Sequence, residues 1–155
     1  MLTTTFQILK ESGACEEGYK KLAKNLGGIR KYGKDKPIPL WNILKSNGLD
    51  DVLWCSDKTQ QPEEAEKVFR LMAADFAESV LHIFEKEYPD DNRPRLAIKA
   101  SRDYANGNIY DADRSAASAD ARAARAAAID GAAARAASSA EKEKQYKIAM
   151  DYLTK

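Results

Sequence analysis

Apolar residues recur along most of this chain at the three-to-four-residue spacing of a helix face, and Gly or Pro interrupts the pattern at intervals. Leu2, Phe6 and Leu9 form one stripe, predicting a helix from about Thr3 to Ser12 that stops at Gly13. Tyr19, Leu22, Ala23 and Leu26 form the next, from about Cys15 to Leu26, with Gly27 and Gly28 as its stop. The segment GGIRKYGKDKPI reads as a loop from its Gly and Pro content. Pro39 then suits the first turn of a short helix to Lys45 or Ser46, and another short helix carries Leu49, Val52, Leu53 and Trp54.

The longest periodic segment opens at Gln61-Pro62, where Glu63, Glu64 and Glu66 suit the positive end of the helix dipole, and runs to about Tyr88. Val68, Leu71, Met72, Asp75, Phe76, Ser79, Val80 and Ile83 make a wide face containing one carboxylate. Pro89 ends it. Pro94 opens the next helix, to about Asn106, with Leu96, Ile98, Ala100 and Tyr104 expected inside. Tyr146, Ala149, Met150 and Leu153 form a last stripe, and no run alternates as a strand would.

Between Ala112 and Ala140, sixteen of twenty-nine positions are Ala, so a helix is predicted there whose small side chains allow another helix to approach closely. One straight helix from Asp111 to Leu153 would be roughly 65 Å long, beyond the roughly 40 Å of a compact domain of this length. A break is expected at Asp130-Gly131, with Ser138-Ser139 the second choice. The predicted fold is all-α, one domain over residues 1–155: a bundle or array of about seven or eight helices with an alanine-rich C-terminal helical hairpin.

Composition removes several classes. A net charge of +1 argues against a strongly basic nucleic-acid binder and an acidic DNA mimic. No apolar run reaches membrane-spanning length, and MLTTTFQILKESG lacks the basic end and long apolar stretch of a signal peptide, so a cytoplasmic protein without a membrane partner is expected. Cys15 and Cys55 are expected to be reduced thiols. His82, the only histidine, shares a polar stripe with Glu78, Glu85 and Lys86, which reads as a surface or ion-paired side chain rather than a ligand or base. No catalytic residue, metal site or cofactor is expected.

Two charged features stand out. From Tyr19 to Lys36 the chain carries Lys20, Lys21, Lys24, Arg30, Lys31, Lys34 and Lys36 against Asp35 alone, a local +6 that leaves −5 on the rest. Arg30, Lys31, Lys34 and Lys36, with Tyr32 available for stacking, are the candidate partner-binding residues, for an acidic partner or for phosphates. The second is Asp75, Glu78, Arg93 and Arg95, where an Arg-Pro-Arg entering a helix could fold back to pair with the carboxylate in the apolar face. A structural ion-pair set is the default reading; carboxylate chemistry at Asp75 and Glu78 is its alternative.

The ordered pieces ESGACEEGYKKLAKNLGG, LDDVLWCS and EEAEKVFRLMAADFAESVLHIFEKEYPDDNRPRLAIKASRDYANG, followed by the alanine-rich tail, resemble the immunity-protein family of bacterial polymorphic-toxin loci, which has phage relatives. The resemblance is carried by Gly13, Ala14, Cys15 and Gly18; by Leu53 and Trp54; by Ala74, Asp75, Ala77, Glu78, Val80 and Leu81; and by Tyr88, Pro89, Arg93, Pro94, Arg95, Ala97 and Ile98. The Lys-rich stretch and Cys55-Ser56 depart from the pattern. The resemblance implies a non-enzymatic inhibitor that binds a protein, either a toxin or, for a phage protein, a component of host defence. A nucleic-acid-associated protein using residues 20–36 is the second reading, and an enzyme using Asp75 and Glu78 the third.

Overall fold

The computed structural model describes residues 1–108 and 139–155. The alanine-rich segment from Ala112 and the hairpin turn expected at Asp130-Gly131 lie outside the described residues. The fold is all-α. Among the described residues there are eight α-helices: α1 (Phe6–Glu11), α2 (Glu16–Asn25), α3 (Ile29–Tyr32), α4 (Leu40–Ser46), α5 (Leu49–Trp54), α6 (Pro62–Glu87), α7 (Arg93–Ala105) and α8 (Ser139–Leu153). A 3-10 turn at Cys55–Asp57 follows α5. The chain forms two compact units, Met1–Glu66 with Ala149–Lys155, and Lys67–Ile148.

The first unit contains two strands that helical periodicity does not show: β1 (Thr3–Thr4) pairs antiparallel with β2 (Ile38–Pro39), Thr3 opposite Pro39 and Thr4 opposite Ile38. The helix expected from Thr3 therefore begins only at Phe6. Thr5 caps it, its hydroxyl accepting the Ile8 N–H at 3.0 Å. The other edge of β1 is also held: the Gln60 N–H donates to the Thr3 carbonyl at 2.8 Å, and the Thr3 N–H donates to Gln61 Oε1 at 2.9 Å. With both edges engaged, a two-residue strand persists where an isolated pair would not. Leu2, Phe6, Ile38, Leu40 and Leu44 are essentially inaccessible around it.

α1 ends as its sequence predicts. Gly13 lies at φ +77°, and the Gly13 and Ala14 amides donate back to the carbonyls of Lys10 and Leu9, satisfying two groups that the helix end leaves open. In the segment expected to be loop, α3 makes one helical turn. It is tethered to α1, because the Gln7 N–H, which has no partner within its own helix, donates to the Lys34 carbonyl at 3.0 Å.

In the second unit, α6 and α7 pack through Ala74, Leu81 and Ile98, with Ala77 against them. This contact uses smaller residues than the wide face expected from the sequence, of which Met72 is fully buried and Val68, Leu71, Phe76, Val80 and Ile83 are half-buried. On α7 the buried positions are Ala97 and Ile98, whereas Leu96, expected inside, is 55% exposed. Ser79 on α6 donates to Glu141 of α8 at 2.7 Å, and the Glu141 side chain is buried.

Candidate functional site

The basic segment in the first unit is built on a fixed backbone. Besides the tether between Gln7 and Lys34, the Tyr32 hydroxyl donates to the Pro37 carbonyl at 2.8 Å, closing the turn after α3. The Tyr32 ring stands edge-on to Phe6 at 6.0 Å, and the Lys36 ammonium lies over it, 4.8 Å from the centroid. Tyr32 is therefore already engaged, contrary to the expectation that it is available for stacking. Burial pushes the hydroxyl pKa of both Tyr32 and Tyr19 up. Arg30, Lys31, Lys34 and Lys36 are all exposed. Lys34 pairs with Asp35 at 3.9 Å.

Beside this segment lies an open cleft of about 480 Å³, lined by Gln7 and Lys10 of α1, Ala14, Glu16 and Tyr19 at the start of α2, and Ile29 and Lys34. Lys10 had no place in the sequence reading, since it sits on the exposed side of α1 and becomes a neighbour of Lys34 only through the tether. Tyr19 is held by its ring edge against Phe6 at 5.4 Å and by donation to the Phe6 carbonyl at 3.3 Å. Glu16 is paired with Lys20 one turn along α2.

The Gly-Ala-Cys-x-x-Gly piece supports the start of α2. Cys15 caps the helix, its Sγ accepting the Gly18 N–H at 3.3 Å. Asn47 donates from Nδ2 both to the Gly18 carbonyl at 2.8 Å and to Asp51 Oδ2 at 2.6 Å, which ties α2 to the start of α5. A Cβ on Gly18 would lie 2.7 Å from Asp51 Oδ2, so this glycine is required for the close approach. Leu53 and Trp54, which carry part of the resemblance, are partly exposed at the end of α5, with the Lys58 ammonium 4.5 Å from the Trp54 ring.

In the second unit the carboxylates that the sequence singled out meet a different arginine. Arg102 donates from Nη2 to Asp75 Oδ1 at 2.5 Å and to Glu78 Oε2 at 2.6 Å, and from Nη1 to Glu78 Oε1 at 3.1 Å. Arg95 instead pairs with Glu85 at 2.6 Å, and Arg93 with Asp91 of its own turn at 2.6 Å. The expected pairing of Asp75 with Arg93 or Arg95 is thus corrected. α6 and α7 are antiparallel partners, which places residues equally far from the intervening turn opposite one another: Glu85 meets Arg95, and seven residues further from the turn on each helix Glu78 meets Arg102. That matched spacing was the signal in the sequence. The hydrogen bonds from Arg102 hold the Glu78 carboxyl below its ordinary range, and the two carboxylates push the Arg102 guanidinium up.

This cluster holds two helices together. His82 is exposed, and among the described residues no group of three His, Cys, Asp or Glu side chains is placed to hold a metal ion. Burial first, and then the charge of Asp51, push the Cys55 thiol up to about 12, which makes it a packing group rather than a thiolate. No described helix is long and apolar enough to cross a membrane.

Comparison with known proteins gives one finding. The family described as Imm-5 like putative immunity protein matches residues 60–147, which takes in α6, α7, the Arg102 cluster and most of α8, and leaves the basic segment and its cleft outside. No curated protein and no solved structure matches the chain.

Proposed function

Since the chain belongs to the Imm-5 like immunity-protein family, the match covering more than half of its 155 residues, we propose that it neutralises a protein toxin by binding it stoichiometrically and does no catalysis of its own. An inhibitor of this kind works by covering or locking its target, and needs a rigid, shaped surface with a few strong anchors rather than reactive groups. The observation that carries the reading is the family match. The half-exposed Arg102 cluster accords with it, since Arg102 pairs α7 with Asp75 and Glu78 of α6. The basic face, Arg30, Lys31, Tyr32, Lys34 and Lys36, is the proposed contact surface, with a cytoplasmic site of action.

The test is protection. Each candidate toxin domain encoded beside this chain is expressed under an inducible promoter, with and without the chain, and growth is followed. Rescue by the chain, together with a one-to-one complex on size exclusion, is the expected result. Growth arrest that persists with every neighbouring toxin domain would sink the proposal. A phage protein directed at host defence would instead restore plaque formation on a defended host.

A further inference from the structure

We infer that the cleft between α1, the start of α2 and α3 receives an acidic, partly apolar segment of the protein partner; this deepens the immunity reading above and rests on it. The cleft has the size of an ordinary ligand cleft, about 480 Å³, and combines two kinds of surface. Ala14, Tyr19 and Ile29 are half-buried and supply apolar area, while Lys10 and Lys34 are exposed cations on its lining. Lys10 makes no ion pair among the described residues, and neither do Arg30 and Lys31 of α3. Lys34 has only the exposed Asp35 at 3.9 Å, and the charges of Lys10, Arg30 and Lys31 have no ion-pair partner among the described residues, so a docking segment of opposite charge is the complement.

The same residues distinguish an acidic protein segment from a nucleic acid. Single strands are held by bases stacked on open aromatic faces. The Tyr32 face is covered by Lys36, and Tyr19 is fixed against Phe6 by ring and hydroxyl. A phosphate backbone tracking the patch would also meet Glu16 and Asp35, whereas a protein segment can place an apolar side chain there and its carboxylates against Lys10 and Lys34. The backbone carrying Lys34 is fixed before binding by the bond from the Gln7 N–H, so little order is lost on docking.

The experiment uses the full chain and three labelled probes: a short peptide alternating Glu with Leu, the same peptide with Gln for Glu, and a single-stranded oligonucleotide of equal negative charge. Fluorescence anisotropy at low salt is expected to show the Glu-Leu peptide bound, its Gln counterpart and the oligonucleotide bound at least about tenfold more weakly, and about a tenfold loss for the peptide in Lys10→Glu with Lys34→Glu. Both lysines are exposed, and an unchanged melting temperature confirms that the double variant is folded; Lys10→Gln with Lys34→Gln serves as the milder pair. Absence of peptide binding, equal binding by the double variant, or tighter binding of the oligonucleotide would each overturn the inference. In the growth assay, a parent that protects and a double variant that protects equally defeats the cleft but not the immunity function. A parent that fails to protect defeats the function, whatever the peptide does.

Discussion

Arg102 contributes to stability through two carboxylates at once, each about a third to a half exposed, so solvent screens the network without abolishing it. Arg102→Met is expected to lower stability by about 1–2 kcal/mol, whereas Arg93→Ala, an exposed side chain that pairs only within its own turn, is expected to leave the urea midpoint essentially unchanged. The folded Glu78 carboxyl is held below its ordinary value of 4.5. Its contribution is therefore complete above that pH and disappears as pH falls through the lowered folded value. The gap in stability between parent and Arg102→Met should accordingly be wide at about pH 6 and narrow towards about pH 3; a gap that stays constant would show that the ion pairs contribute nothing. The two cysteines offer a second contrast. Cys15 is exposed and Cys55 is 2% exposed with its pKa pushed up to about 12, so a disulfide reagent at about pH 8 should titrate one thiol in the native protein and both only in denaturant.

Between elements, the contact of α2 with the start of α5 depends on a missing side chain. Ala is a better helix former than Gly by up to about 1 kcal/mol, so Gly18→Ala would stabilise an isolated α2. Here its Cβ would displace Asp51 and disturb the bridge from Asn47, a loss that should outweigh the gain and leave a net destabilisation of about 1 kcal/mol. An Asp51→Ala background removes the shortest contact of that Cβ and leaves Cys15 Sγ at 3.1 Å and Asn47 Nδ2 at 3.3 Å, at the ends of side chains that can give by a few tenths of an ångström. The same Gly18→Ala change should then become neutral or stabilising, and a double-mutant cycle by thermal melting reads the reversal.

At the scale of the whole molecule, α6 runs unbroken from Pro62 to Glu87 and α8 from Ser139 to Leu153, so each crosses from one compact unit to the other along its own hydrogen-bonded backbone. Helix formation is cooperative, and we propose that the two units unfold together as one domain. Both tryptophans, Trp41 and Trp54, lie in the first unit, whereas helical circular dichroism reports on both. Coincident urea transitions by the two probes are expected; a fluorescence transition displaced from the dichroism would show two independently folding units.

The helices on either side of most Gly and Pro stops, the all-α class and the pieces of the family resemblance that lie within residues 60–147 were legible in the chain, because apolar period and turn chemistry are local properties read within a few residues. The short β1–β2 pair, the helical turn at Ile29–Tyr32, the docking of Lys34 beside Lys10 and the choice of Arg102 over Arg93 and Arg95 were not. Each depends on which distant segments are brought together. Thr3 and Thr4 form a strand only because Ile38 and Gln60 arrive at their two edges, and Asp75 meets Arg102 only because the α6–α7 turn sets an antiparallel register. Local sequence sets which face a helix can offer; the tertiary structure decides which part of that face is used, because burial depends on the partner helix that arrives: Ala74 and Leu81 are buried with Ile98, whereas Phe76 and Ile83 of the same helix are only half-buried.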